Sequence, residues 1–245
     1  MAIKRRKMSG EERKQMISLA SRKEFSAKGY HGTSMRDIAR AAGVSEALIY
    51  QHFPSKKDLY KEIYFYLDPQ VDALCDYLKS FPPSTETLVK IVYSLSMMIM
   101  SEVPGQGEDQ KMFERLLIYS LLENPDFAKS VFRKYETKLS PLWIECIESA
   151  WESGDMYKQL VYPVQKMWFV HHLSMSINLL HASGEKLFNY DGTLDDLIMY
   201  MVIFVLRGIG LTDEAVQKYA HMDNLKKLIA EIFNPDEGLV FLEST

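Results

Sequence analysis

The sequence predicts an all-α protein, and three observations carry that reading. Helix start signals recur along the chain, Gly and Pro stops separate them, and strand-type alternation is scarce, with Asp191-Gly192 the one hairpin-like dipeptide. The architecture that follows is an N-terminal three-helix domain containing a helix-turn-helix, then a larger helical domain.

Each element has its own signals. Ser9 followed by Glu12 opens a helix over 9–28, which Gly29 stops. Ser34 with Asp37 opens 35–42, ended by Gly43, and Ser45 caps 46–52. Ser55 with Asp58 starts 56–80, where Pro69 must kink the helix or break it. Pro82-Pro83 precedes 85–102, and Pro104-Gly105 separates that helix from 108–122. Asn124-Pro125 then starts 125–152, with Pro where a missing N–H costs nothing. Gly154 ends that helix, 162–182 stops before Gly184, and Thr193 with Asp196 opens 194–208 ahead of Gly208–Gly210. A last helix covers 213–233. Residues 234–245 read as an arm, so the expected domains are 1–57, 58–233 and this C-terminal arm.

Composition narrows the function class. The 245 residues are 47% hydrophobic and 25% charged, enough apolar content for a sizeable core and unlike a disordered tail or a disulfide scaffold. Cys75 and Cys146 stand far apart without metal spacing, which suits a reducing compartment. The longest apolar run, Leu197–Leu206, is too short to span a bilayer, and no apolar stretch follows Lys4–Lys7 as in a signal peptide. A cytoplasmic protein is expected. The net charge of −4 conceals an asymmetry: residues 1–60 carry thirteen Lys/Arg against six Asp/Glu, a net +7, and the remainder carries −11. Clustered cations of this kind suit a phosphate backbone, whose counterions they release.

The segment 35–52 has helix-turn-helix spacing: a short helix, a tight turn at Gly43-Val44, and a second short helix. Ile38, Ala39, Ala42, Val44 and Ile49 fall where the two helices pack on each other and on Leu19 and Phe25. Ser45 leaves the amino end of the second helix open to a groove or phosphate. Glu46, Ala47, Leu48, Tyr50, Gln51 and His52 remain for the outer face, although Leu48 competes with Ile49 for the core.

The run Gly29–Tyr60, with Thr33-Ser34-Met35-Arg36-Asp37-Ile38-Ala39 and Gly43-Val44-Ser45 through Tyr50-Gln51-His52-Phe53 at its centre, resembles the N-terminal domain of the TetR family over about residues 10–62. The resemblance implies that 46–52 is the recognition helix in the major groove of double-stranded DNA, with Glu46, Ala47 and Leu48 toward base edges and Gln51 beside them. A Glu accepts from cytosine N4 and a Gln is bidentate to adenine. It places Arg36 near a guanine, and it assigns Ser34, Tyr50, His52 and Lys56 to phosphate, with Ser45 at the helix start. The basic arm Lys4–Lys7 adds phosphate or minor-groove contacts. Many members have Lys/Arg-Gly-Thr where Glu46-Ala47-Leu48 stands, so base preference does not carry over.

The acidic remainder must dimerise to place two heads on a palindrome. The helix at 194–208 is apolar nearly all round, and 162–182 has the same character, so both need burial on two sides. A four-helix bundle with a second copy supplies it, and the resemblance implies the same interface. Met167, Val170, Leu173, Ile177, Ile198, Met201, Val202 and Val205 are the candidate homodimer residues. Met and aromatic side chains between head and interface suit an adaptable pocket; Tyr93, Met97, Phe113, Trp143, Trp168 and His172 are the candidates for a small, largely apolar or aromatic effector. No catalytic residue, cofactor or metal set is found: His171 and His172 lie about 100° apart on a helix and cannot share an ion. The expected function is a ligand-responsive DNA-binding transcriptional regulator, a repressor and not an enzyme. The rivals are a constitutive architectural DNA-binding dimer, and a helical carrier or enzyme with a vestigial helix-turn-helix.

Overall fold

The computed structural model describes residues 8–66, 69–100, 107–158, 161–181, 188, 190–234 and 238–239. The arm at Lys4–Lys7 lies outside them. The described chain forms α1 (Gly10–Gly32), α2 (Met35–Ala42), α3 (Glu46–His52), α4 (Lys56–Tyr66), α5 (Pro69–Leu78), α6 (Thr85–Met100), α7 (Gly107–Leu122), α8 (Asp126–Glu152), α9 (Pro163–His181), α10 (Leu194–Ile209), α11 (Asp213–Tyr219) and α12 (Met222–Ile232). A two-residue antiparallel pair, β1 (Phe233–Asn234) with β2 (Gly238–Leu239), starts at the last residue of the expected helix 213–233 and otherwise falls in the segment expected as an arm.

The start signals work as written. Ser9 with Glu12, Ser34 with Asp37 and Thr193 with Asp196 form reciprocal capping boxes. Ser55 Oγ accepts the Asp58 N–H at 3.1 Å, and Asn124 Oδ1 accepts that of Asp126 at 3.1 Å. Two expected helices are each a pair. The stretch 56–80 divides at Pro69, which becomes the first residue of α5. The stretch 213–233 divides at Ala220 (φ −89, ψ 60) without Gly or Pro. In a straight helix Leu225 would fall roughly 80° off the line of Ala215 at 100° per residue. The bend lets α11 bury Ala215 and Val216 while α12 buries Leu225 and Leu228, both against α6.

The chain divides into two compact units, Met1–Pro69 with Gly107–Lys134, and Gln70–Gln106 with Tyr135–Thr245. The expected boundary at 57/58 falls inside the first unit, where α1 packs on α2, α4 and α7. Its core joins Ile17, Phe25, Ile38 and Ile49 to Leu59, Tyr60, Leu116 and Phe127. Leu19, expected in that core, faces outward at 42% exposure; the phase of α1 turns Ile17, Ala20 and Phe25 inward instead.

The second unit is built on α6, whose side chains are buried at every position but Glu86, Lys90 and Met97 and which carries α9, α10, α11 and α12. Small hydroxyls sit where three of these helices cross: Ser174 Oγ donates to Val170 O at 2.9 Å and lies 3.4 Å from Ser96 Oγ and 3.7 Å from Met201 Sδ. Trp143 is fully buried, its Nε1 donating to Pro163 O at 2.8 Å. Cys75 and Cys146 are buried free thiols, and burial pushes Cys146 up to about 11. Among the described residues no helix is long and apolar enough to cross a membrane.

Candidate nucleic-acid interface

The head begins with two glycines that only a positive φ can satisfy. Gly43 (φ 65, ψ 32) ends α2 and turns the chain into α3, donating its N–H to Ala39 O and Arg40 O. Gly29 (φ 72, ψ 178) interrupts α1, so the expected stop is real although one turn follows it. Ser45 then caps α3, its Oγ accepting the Leu48 N–H at 3.2 Å.

On α3 the core position is Ile49, fully buried, and Leu48 is half-buried beside it, which settles their competition. Glu46, Ala47, Tyr50 and Gln51 are exposed and span roughly 140° of the helix surface. Tyr50 keeps 49% of its surface. His52 is half-buried next to the Phe53 ring, and Arg36 on α2 is exposed. These side chains offer an acceptor, an amide, a phenol and a cation from a surface held by an apolar hairpin, which is the chemistry needed to read base edges and touch phosphate.

Two expected phosphate ligands are otherwise engaged. Ser34 Oγ donates to Asp37 Oδ2 at 2.5 Å and accepts the Asp37 N–H at 3.1 Å, so its hydroxyl is committed to the cap. The Ser34 hydroxyl and the Ser34 N–H, both donating to Asp37 Oδ2, hold the Asp37 carboxyl below its usual range. Lys56 is half-buried with Nζ 4.4 Å from the centre of the Tyr30 ring, and desolvation pushes its ammonium down against the opposing pull of Glu123. Tyr30 in turn packs on Phe25 and Tyr60, and burial raises Tyr60 to about 12.

Sequence reasoning missed what holds this region from α7 and α8. Glu123 Oε2 accepts the His31 N–H at 2.9 Å, and its carboxylate fills the space where a Cβ at Gly29 would stand. Three residues on, Asp126 pairs with Lys57 at 3.4 Å. Gly29 signalled a turn, but only the tertiary fold shows what fills the notch.

The effector candidates are dispersed. Phe113 belongs to the first unit, its ring 5.8 Å from Phe127. Tyr93 and Trp143 are buried in the core of the second unit. Met97 and Trp168 are half-buried, and Trp168 stacks on exposed His172 at 5.9 Å. His171 lies buried between Tyr135 and Trp168, and desolvation, aided by His172, lowers it to about 4.

The dimer candidates also change. Met167, Val170, Ile198, Met201, Val202 and Val205 are buried within this single chain, so they belong to its own core; Leu173 and Ile177 are half-buried. The outward stripes of the same helices are Phe169 (58% exposed), Leu173 and Leu180 on α9, and Tyr200 (71%) and Phe204 (69%) on α10. Among the described residues no group of three His, Cys, Asp or Glu is placed to hold a metal ion.

Known proteins resemble the chain in two ways. Residues 17–63 match the family described as bacterial regulatory proteins, tetR family. An HTH-type transcriptional regulator, AcrR of Shigella flexneri, is 37% identical over 83 residues, 34% of this chain and 38% of that protein. An HTH-type transcriptional activator, FasR of Mycolicibacterium smegmatis, is 44% identical over 50 residues, 20% of this chain and 23% of that protein. The chain thus matches well under half the length of these relatives. The fold extends further: a tetR-family regulatory protein from Rhodococcus RHA1 superposes with a TM-score of 0.57 at 16% identity, covering 82% of this chain and 98% of that one.

Proposed function

We propose that this chain, whose residues 17–63 match the tetR family of bacterial regulatory proteins, is a DNA-binding transcriptional regulator of that family, a homodimeric repressor released from a palindromic operator by a small, largely apolar molecule. The observation that carries the reading is the outer face of α3, where Glu46, Ala47, Tyr50 and Gln51 stand exposed while Ile49 anchors the helix from below. Glu46, Ala47 and Gln51, with Leu48 at their edge and Arg36 on α2, read bases. Tyr50 and His52 hold phosphate, joined by Lys56 once it leaves Tyr30.

The dimer forms through Phe169, Leu173 and Leu180 with Tyr200 and Phe204, an exposed apolar area on two packed helices. Two heads then address half-sites about 34–36 Å apart, or a multiple of it. The effector reading is supported by Met97, Trp168 and His172, which the second unit leaves accessible on its packed pair α6 and α9.

A salt titration of duplex binding tests the head. The logarithm of the affinity should fall with the logarithm of salt with a slope of about −0.9 per phosphate contacted. Tyr50→Ala should weaken binding to every sequence alike. Glu46→Ala or Arg36→Ala should instead relax preference at one base position by about 1–3 kcal/mol. Binding that ignores salt, or variants that fail to separate in this way, would reject the assignment.

A further inference from the structure

The two lysines that open α4 both feel carboxylates from the corner between α7 and α8, Lys57 by direct pairing and Lys56 through the field of Glu123. Lys57 is paired with Asp126 at 3.4 Å, and Lys56 lies over Tyr30. The residue after Tyr30, His31, donates its N–H to Glu123 at 2.9 Å. Glu123 is held at the notch of Gly29 by the His31 N–H, and its charge acts on Lys56 from there. A phosphate approaching the start of α4 meets the same two ammonium groups that these carboxylates already attract.

We infer that the corner Glu123-Asn124-Pro125-Asp126 is an anionic clasp that competes with DNA phosphates for Lys56 and Lys57 and so sets the affinity of the head for DNA. The inference rests on the DNA-binding reading above. Glu123 and Asp126 act here as affinity-setting residues that touch no DNA. In the unbound protein their carboxylates are the counter-charges of the two lysines. On DNA the carboxylates keep part of their hold on the two lysines, so each lysine neutralises phosphate incompletely. Any movement of the corner away from α4 therefore strengthens phosphate binding, and any movement toward it weakens binding.

The test uses the full chain and a duplex of random sequence, titrated across salt concentrations. Glu123→Gln keeps an acceptor for the His31 N–H and removes the charge; Asp126→Asn does the same beside Lys57. Each should tighten binding about two- to five-fold, the range of a partly exposed ion pair. Each should also steepen the salt slope by about 0.9, because one more lysine is free to displace a counterion. The gain should vanish in a Lys56→Ala/Lys57→Ala background. A purely structural corner would instead lower the melting temperature and leave the slope where it was. Unchanged slopes in both variants, or a gain that survives without the lysines, overturn the clasp and leave DNA binding intact. A wild-type chain that binds no duplex at low salt overturns both readings. Asp126→Asn removes only a half-exposed partner, so it decides the matter if the Glu123 variant fails to fold.

Discussion

Gly29 concentrates two demands in one residue. Its φ of 72 with ψ of 178 is a conformation essentially closed to side chains, and the Glu123 carboxylate occupies the space a Cβ would need. Gly29→Ala should destabilise the head by about 1–3 kcal/mol or more, read by denaturant unfolding. An unfolding midpoint equal to wild type would show that the notch is not needed. His171 makes a different prediction. Its folded pKa of about 4 lies below the ordinary value of 6.5, so the unfolded chain binds a proton first as pH falls. Its contribution is complete above pH 6.5 and is lost as pH drops toward 4. Replacing it by Phe should flatten that part of the stability profile relative to wild type, measured as unfolding midpoint against pH.

At the scale of elements, α9 and α10 are where folding can be tested apart from the proposed association. Tyr200→Glu or Phe204→Arg places a charge on an outward stripe and should give a folded monomer in sedimentation, with DNA affinity reduced. Val202→Arg puts the same charge in the core beneath and should unfold the unit. If Val202→Arg alone produced folded monomers, the interface would lie on the other side. The sequence drew α9 and α10 as apolar helices but did not say which of their sides the chain itself buries, because a helix apolar all round does not state which face its own domain covers. The helix-turn-helix was legible down to Ser34, Gly43, Ser45 and Ile49, since caps and turns are local chemistry. The break at Ala220 was not, since tertiary packing on α6 makes it and no Gly or Pro marks it. Ser34 shows the same limit. Its cap was readable, but the loss of its hydroxyl to Asp37 followed only from the three-dimensional structure.

For the whole molecule, regulation is a statement about linked equilibria. An effector that weakens operator binding tenfold must be held tenfold more weakly by the DNA-bound protein. Effector affinities measured with and without duplex should therefore differ by the same factor as duplex affinities measured with and without effector; equal effector affinities would remove the ligand from the mechanism. The net charge of −4 is no guide here, because it sums a basic quarter and an acidic remainder. A practical consequence follows from where the indoles lie. All three tryptophans, Trp143, Trp151 and Trp168, fall in the second unit. Excited at the red edge of absorption, the protein thus emits from that unit alone. Trp143 is sealed from water, whereas Trp151 is open to it and to quenchers. A labelled duplex can then report on the head in one colour while intrinsic emission follows the rest of the chain in another, with no residue replaced.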